Sequence, residues 1–369
     1  MGVVETLPRP ARKLALKPAE QSALPKGNVR VPLVSLLPMP KGMEWDGFDG
    51  TSHKLTLNGN PTLIVLWAGW CAPCRAELRE LVERQNELRS AGIDVVALAV
   101  DGLGDDKADP AAARAVCARL KFPFPAGRAR ADFVQLITGY HHMLVALTRP
   151  LPVPTSLLVD RKGRLSVIYK GRLPVDALLK DARTTPHTLR DRWMRSACFP
   201  GRMIDDDRIL RTLRRAEAGT FYAIGEWFSK RQMLENAIDH FNAALQIAPN
   251  HGKSHLGLAV AFERLKNDKQ AELHYTKALK ALPDHALPHF GLGNIHLRAD
   301  RYVEAVSRYR KAIRAQPDFL LAHMNLGTAL VRQNRNREAA RHFRRALEID
   351  PDFAPARRAL NRLGGSGRR

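Results

Sequence analysis

Hydrophobic and polar positions change their rhythm twice along the chain. Up to about residue 42, prolines at 8, 10, 18, 25, 32, 38 and 40 interrupt every short apolar run, so no regular period is sustained. The stretch reads as an extended leader that builds no core. From about residue 44, buried and amphipathic segments alternate. "LIVLW" (63–67) reads as a buried strand, "RAELRELVERQNEL" (75–88) has helical spacing, "DVVALAV" (94–100) is a second buried strand and "AAARAVCARL" (111–120) a second helix. A helical stretch near 131–147 precedes "TSLLVD", the turn "RKG" and "RLSVIYKG" (155–171), a hairpin signal, and a closing helix begins near 174. This order predicts an α/β domain with a central sheet flanked by helices.

The last third repeats itself. Pro249, Pro283, Pro317 and Pro351 recur every 34 residues. With these prolines at position 32, position 8 is Gly225, Ala259, Gly293 and Gly327, and position 20 is Ala237, Ala271, Ala305 and Ala339. Position 24 is Phe241, Tyr275, Tyr309 and Phe343, and position 27 is Ala244, Ala278, Ala312 and Ala346. A period of this length marks stacked helix pairs. Small residues let paired helices approach, aromatics fill the space between them, and proline ends the second helix. The pattern resembles the tetratricopeptide repeat family over residues 218–351, with "APARRALNRL" (354–363) as a capping helix. The expected organisation is a leader over 1–43, the α/β domain over 44–183, a basic linker over 184–217, an all-α solenoid of four repeats plus cap over 218–363, and a tail over 364–369.

The 369-residue chain is 45% hydrophobic, enough to bury real cores, and no apolar run is long enough for a membrane helix. Its formal net charge is +22, and residues 161–215 hold 15 Lys or Arg against 6 Asp or Glu. Such a surface suits acidic partners without choosing among them. The N-terminal segment has no secretory apolar core, and the bare myristoylation pattern at Gly2 lacks a second membrane signal. Four cysteines exclude a disulfide-dense scaffold.

Cys71 and Cys74 stand two residues apart in "WAGWCAPCRAEL", directly after the strand. A zinc clip would need a second close Cys or His pair, and His141 with His142 has no spacing that completes one. A structural disulfide over so small a loop would add little by restricting the unfolded chain. A redox dithiol needs a strand that delivers the first cysteine to a helix N-terminus, where unpaired N–H groups and the helix dipole favour thiolate. The sequence supplies that arrangement, with Pro73 at a favoured first-turn position. Cys117, on an apolar helix face, and Cys198, in "SACFPG", read as inert thiols.

"WAGWCAPCRAEL" resembles a thioredoxin-fold active site, and residues 44–183 resemble the TlpA/ResA-like branch of the thioredoxin superfamily. Trp67, Trp70, Cys71, Pro73 and Cys74 match the family pattern, and in "VPTSLLVDRKG" Pro154 falls on its cis-proline. The resemblance implies a thiol-disulfide oxidoreductase with Cys71, Cys74, Glu77 and Pro154 as catalytic residues. It also implies a substrate surface of Trp67, Trp70, Pro73, Val153 and Thr155, with the backbone of Val153 free to pair with an extended substrate. By the same resemblance Glu77 would accept or return the proton of Cys74. Val65 stands where cytosolic thioredoxins place a buried aspartate, which favours the TlpA/ResA-like branch. The 79 residues between Cys74 and Pro154 imply an insertion, "ADFVQLITGYHHMLVAL". A peroxidase is disfavoured, because Ala68 and Ile64 stand where peroxiredoxins carry Thr or Ser and Pro.

No metal is called for, and no cofactor beyond the Cys71–Cys74 disulfide/dithiol. His255, His289 and His323 recur one repeat apart, too far for two to share an ion, and read as packing or groove polar groups. Asn294 and Asn325 fall where carboxylate-clamp repeats carry asparagine, but Phe290 replaces the clamp's basic residue. The expected partners are disulfide-bearing proteins, a thiol redox partner, and a protein or peptide in the repeat groove. Nucleic acid is not expected, since the Arg-rich C-terminus lacks an aromatic stacking platform. A second class of reading is an interaction scaffold whose thioredoxin-like domain binds without turnover. The resemblance suggests an extracytoplasmic (periplasmic) setting with no signal or anchor visible, and leaves open a natural start upstream of Met1.

Overall fold

The structure, a computed structural model, describes residues 29–103, 108–145, 152–184, 191–192 and 207–365. Residues 1–28 of the expected leader, most of the expected linker with Cys198, and the end of the tail lie outside the described residues. The chain divides into two compact units, Met1–Asp205 and Asp206–Arg369.

The first unit is built on one mixed sheet of eight strands. They are β1 (Val29–Pro38), β2 (Glu44–Gly47), β3 (Ser52–Lys54), β4 (Thr62–Trp67), β5 (Asp94–Ala99), β6 (Ala126–Ala129), β7 (Thr155–Val159) and β8 (Arg164–Lys170), in the order β1-β8-β7-β4-β5-β6-β2-β3. Every residue of β4 is buried. It runs parallel to β5 and antiparallel to β7, which is why its sequence is continuously apolar instead of alternating. Among the described residues of this unit are helices α1 (Ala72–Glu83), α2 (Gln85–Ser90), α3 (Pro110–Leu120), α4 (Ala131–Val145) and α5 (Val175–Arg183). The helix expected over 75–88 is therefore two, with the break at Arg84.

The leader ends earlier than expected. Val29–Pro38 is an edge strand paired with β8, its Leu36 and Leu37 are buried, and Met39 and Met43 follow them into the core. An edge position tolerates Pro32, whose missing N–H would break the ladder of a central strand. The Arg30 side chain donates two hydrogen bonds to the buried Asp181 of α5, which also accepts one from the Tyr169 hydroxyl at 2.6 Å.

The contacts of β7 and β8 place α1 and α4 on opposite faces of the sheet. Ser156 reaches Glu77 of α1. Side chains alternate along a strand, so Thr155 points to the other face, as does its cross-strand neighbour Lys170, which meets His141 of α4.

The second unit is a stack of helix pairs. It runs through α6 (Asp207–Lys230), α7 (Leu234–Ile247), α8 (Gly252–Arg264), α9 (Asp268–Ala281), α10 (Ala286–Arg298), α11 (Tyr302–Ala315), α12 (Leu320–Arg332), α13 (Asn336–Ile349) and α14 (Ala354–Gly365). Helix α6 starts within the span expected as linker. The columns pack as their residue types require: a Cβ on Gly225 would lie 2.6 Å from the Phe241 ring, one on Gly293 2.5 Å from Tyr309, and one on Gly327 2.5 Å from Phe343. A further column turns each pair. Gln232, Lys266, Asp300 and Asn334 all have positive φ and close the first helix of their repeat.

Two members of the histidine column are buried in polar pairs, while His289 is half-buried and its Nδ1 has no hydrogen-bond partner among the described residues. His255 and His274 face each other with Nδ1 atoms 3.0 Å apart, as do His323 and His342 at 3.1 Å. Asn325 donates to Asn294 at 2.9 Å, and the Tyr309 hydroxyl donates to the same Asn294 oxygen at 2.9 Å.

Candidate functional site

The site forms where β4 ends and α1 begins. Cys71 is the N-cap of α1, in extended backbone (φ −78°, ψ 108°), and its sulfur accepts the Cys74 N–H at 3.2 Å. Pro73 sits in the first helical turn, where its missing N–H has no helical partner to lose. Cys74 faces back, and the two sulfurs form a disulfide. Both cysteines are nearly enclosed, at 4% and 1% exposure, while Ala72 and Pro73 are exposed and Trp70 is 48% exposed.

The cis peptide between Val153 and Pro154 lies against this turn, and the Val153 carbonyl oxygen is 3.8 Å from Cys71 Sγ. Pro154 is held from the sheet, its carbonyl accepting the Gly171 N–H at 2.9 Å. Val153 remains partly exposed.

Glu77, one turn beyond Cys74, is buried at 1% exposure. One carboxylate oxygen accepts the Ser156 hydroxyl at 2.6 Å and the other the Leu173 N–H at 3.1 Å. Burial outweighs these two bonds and pushes its pKa up to about 7.

Two residues expected on the substrate surface are not there. Trp67 ends the central strand with 0% exposure, and the Thr155 side chain is enclosed with its hydroxyl donating to the Pro152 carbonyl at 2.5 Å. Both follow from the strands that carry them, since β4 and β7 are buried on both faces. Trp70, Pro73 and Val153 do lie beside Cys71.

Two residues unnoticed in the sequence support the turn. Asp101, just beyond β5, accepts the Gly69 N–H with both carboxylate oxygens at 2.9 and 3.0 Å. Arg75 donates to the Gly69 carbonyl at 2.8 Å. An acid directly after a buried parallel strand is the signal that could have found the first.

Cys117 is buried with its thiol pushed up to about 11 by desolvation, in line with an inert role. The buried His141 and the half-buried Lys170 form a pair, with Nε2 and Nζ 2.6 Å apart. Burial and the neighbouring ammonium hold His141 down at about 4.

Residues 38–184 match the family described as Redoxin, and residues 228–286 and 290–353 match Tetratricopeptide repeat. The chain carries a redoxin domain followed by tetratricopeptide repeats. The redoxin domain is a distant homologue of thiol-disulfide oxidoreductase ResA of Oceanobacillus iheyensis, 26% identical over 125 residues that span 33% of this chain and 55% of the relative. The chain thus spans about half the length of that curated relative. Among solved structures, the match to MamA has 19% identity and a TM-score of 0.37, covering 39% of this chain and 85% of MamA. The match to pilF of Pseudomonas aeruginosa has 25% identity and a TM-score of 0.39, covering 42% and 71%. That to YrrB, a TPR protein with an unusual peptide-binding site, has 22% identity and a TM-score of 0.36, covering 39% and 74%. Among the described residues no helix is long and apolar enough to cross a membrane.

Proposed function

We propose that the redoxin domain is a thiol-disulfide oxidoreductase and that the repeat array recruits the proteins it acts on or exchanges electrons with. The division into these parts, joined by a basic segment, belongs to the same proposal. The observation that carries it is the placement of Cys71: N-cap of α1, sulfur on the Cys74 N–H, beside the Val153 carbonyl.

In the reduced chain the Cys71 thiolate is favoured by the Cys74 N–H and the positive end of α1. It attacks one sulfur of a substrate disulfide, forming the mixed disulfide and releasing the other sulfur as a thiolate. Cys74, once deprotonated, attacks the Cys71 sulfur and releases the second substrate thiolate, leaving the Cys71–Cys74 disulfide. Two electrons pass from the dithiol to the substrate, and the reverse sequence oxidises a dithiol. Pro154 packs against the pair, and Val153 offers main-chain pairing to an extended substrate segment flanked by Trp70 and Pro73. Glu77, with its pKa at about 7, holds or releases a proton near neutrality and takes the one Cys74 must lose.

A trapping experiment tests this. Cys74→Ser leaves the attack intact and blocks resolution, so incubation with a disulfide-bearing protein is expected to give a thiol-reversible adduct through Cys71. An equal yield of adduct when Cys71→Ser is added to Cys74→Ser would refute the assignment.

A further inference from the structure

We infer that Asp101 and Arg75 are positioning residues that hold Cys71 at the helix N-terminus by clamping the single peptide turn before it. The inference rests on the redox reading above and assigns the support of its nucleophile.

Only Ala68, Gly69 and Trp70 connect β4 to Cys71, and both main-chain groups of the central Gly69 are committed to side chains. The Val100 N–H donates to the Trp67 carbonyl at 2.9 Å, continuing the β4–β5 pairing past the strand ends and carrying Asp101 up to the turn. Asp101, 7% exposed, then takes the Gly69 N–H between its two oxygens. From the other side Arg75, on the first turn of α1, binds the Gly69 carbonyl, and the Cys71 N–H donates to the Ala68 carbonyl at 3.1 Å. Helix α3 closes the third direction: a Cβ on Gly69 would lie 2.9 Å from the Ala113 nitrogen and 3.1 Å from the Ala112 carbonyl carbon. Gly69 is thus fixed from β5, α1 and α3 at once, two residues before Cys71.

This matters for the chemistry because the sulfur accepts the Cys74 N–H only while Cys71 stays outside the helix in extended backbone. A turn released at Gly69 would let Cys71 swing away from the N–H group that favours its thiolate and from its place beside the Val153 carbonyl, so that even the fully ionised sulfur is less often aligned for attack. A buried carboxylate close to a thiolate site is electrostatically unfavourable for that thiolate, so packing alone does not call for an acid here. A hydrogen-bond acceptor aimed at Gly69 does.

The test uses the full, reduced chain and oxidised glutathione as the probe, with the modification of Cys71 resolved by peptide mass across pH. The Cys71 thiolate attacks glutathione disulfide to give the Cys71–glutathione mixed disulfide and one glutathione thiolate. Cys74 thiolate then attacks the Cys71 sulfur and expels the second glutathione thiolate, so two electrons move from the dithiol to the probe. The rate plateau above the thiol pKa reports geometry, because every Cys71 is ionised there. Asp101→Asn keeps one oxygen for the Gly69 N–H, so its plateau is expected within about threefold of wild type, whereas Asp101→Ala is expected to lose about tenfold or more. Amide hydrogen exchange at Gly69 should accelerate in Asp101→Ala and stay near wild type in Asp101→Asn.

Arg75→Met, which frees the other end of the clamp on a partly exposed side chain, is expected to lower the plateau about fivefold and stands in if Asp101→Ala does not fold. A folded Asp101→Ala or Arg75→Met with the wild-type plateau would overturn the inference, as would an Asp101→Asn as slow as Asp101→Ala. The redox reading fails separately, if the wild type reduces no protein disulfide while Cys71 still reacts with glutathione.

Discussion

Replacing Glu77 by glutamine separates what the buried carboxyl does for stability from what it does for chemistry. In the folded chain burial holds its pKa at about 7 against an ordinary 4.5. A folded-state value above the unfolded one means that the full stability is present below 4.5 and is lost as pH rises through 7. At about 1.4 kcal/mol per pH unit, ionising Glu77 in place costs about 3 kcal/mol. Glutamine removes this cost and keeps both contacts: its amide oxygen accepts the Leu173 N–H, and its amide nitrogen donates to the Ser156 hydroxyl oxygen. Glu77→Gln is therefore expected to match wild type at pH 5 within about 1 kcal/mol. At pH 8.5 it is expected to exceed wild type by up to about 3 kcal/mol. Denaturant unfolding of both proteins at the two pH values measures the difference, in which the repeat array cancels. Disulfide exchange should move the opposite way, falling about tenfold or more at pH 7 and losing its inflection there. A stability difference that is the same at pH 5 and 8.5 would refute the reasoning, because it would mean that Glu77 titrates as an ordinary carboxyl.

Further outcomes follow from single contacts. Gly291→Ala would set a Cβ 2.1 Å from the Tyr275 ring, whose hydroxyl is tied to Glu263 at 2.5 Å, so thermal unfolding of the array should report a loss of about 1–3 kcal/mol. His240 is enclosed among Phe221 and Phe228 and held by burial at about 4 against 6.5. Its neutral form is what the fold accommodates, so stability should fall by about 3 kcal/mol as pH drops from 6.5 through 4, and His240→Leu should flatten that part of the profile in melts at pH 7 and 4.5. Cys117, with its thiol pushed up to about 11, should be alkylated at pH 7.5 about a hundredfold more slowly than Cys71 in the reduced protein, read by peptide mass.

What the sequence made legible was whatever a local pattern carries. The apolar run before Cys71, the proline after it and the 34-residue columns each state their own structure, and β4, α1 and the helix pairs lie where those patterns put them. The short strands β2, β3 and β6 were illegible because "EWDG", "SHK" and "AGRA" have little apolar content, and only pairing with neighbours makes them strands. Strand β1 was hidden by Pro32 and Pro38, residues that an edge strand can hold. At the site, residue types matched by resemblance carried no information on which way a side chain faces. Trp67 and Thr155 therefore joined the expected surface although their strands bury them. Asp101 escaped because its partner is a main-chain N–H 32 residues away, and an acid directly after a buried strand was the only local sign of it. The pairing of His255 with His274 across 19 residues escaped for a similar reason: the 34-residue column draws attention to the next repeat, while the bond closes within one.

The central claim is that Cys71 attacks protein disulfides and Cys74 completes the transfer. Reduction of insulin disulfides by the full chain, with a dithiol reductant resupplying electrons, tests it most directly. Wild type should turn over well above the reductant alone, and Cys71→Ser should return the rate to that background. Turnover that Cys71→Ser leaves unchanged, or none in wild type, would contradict it.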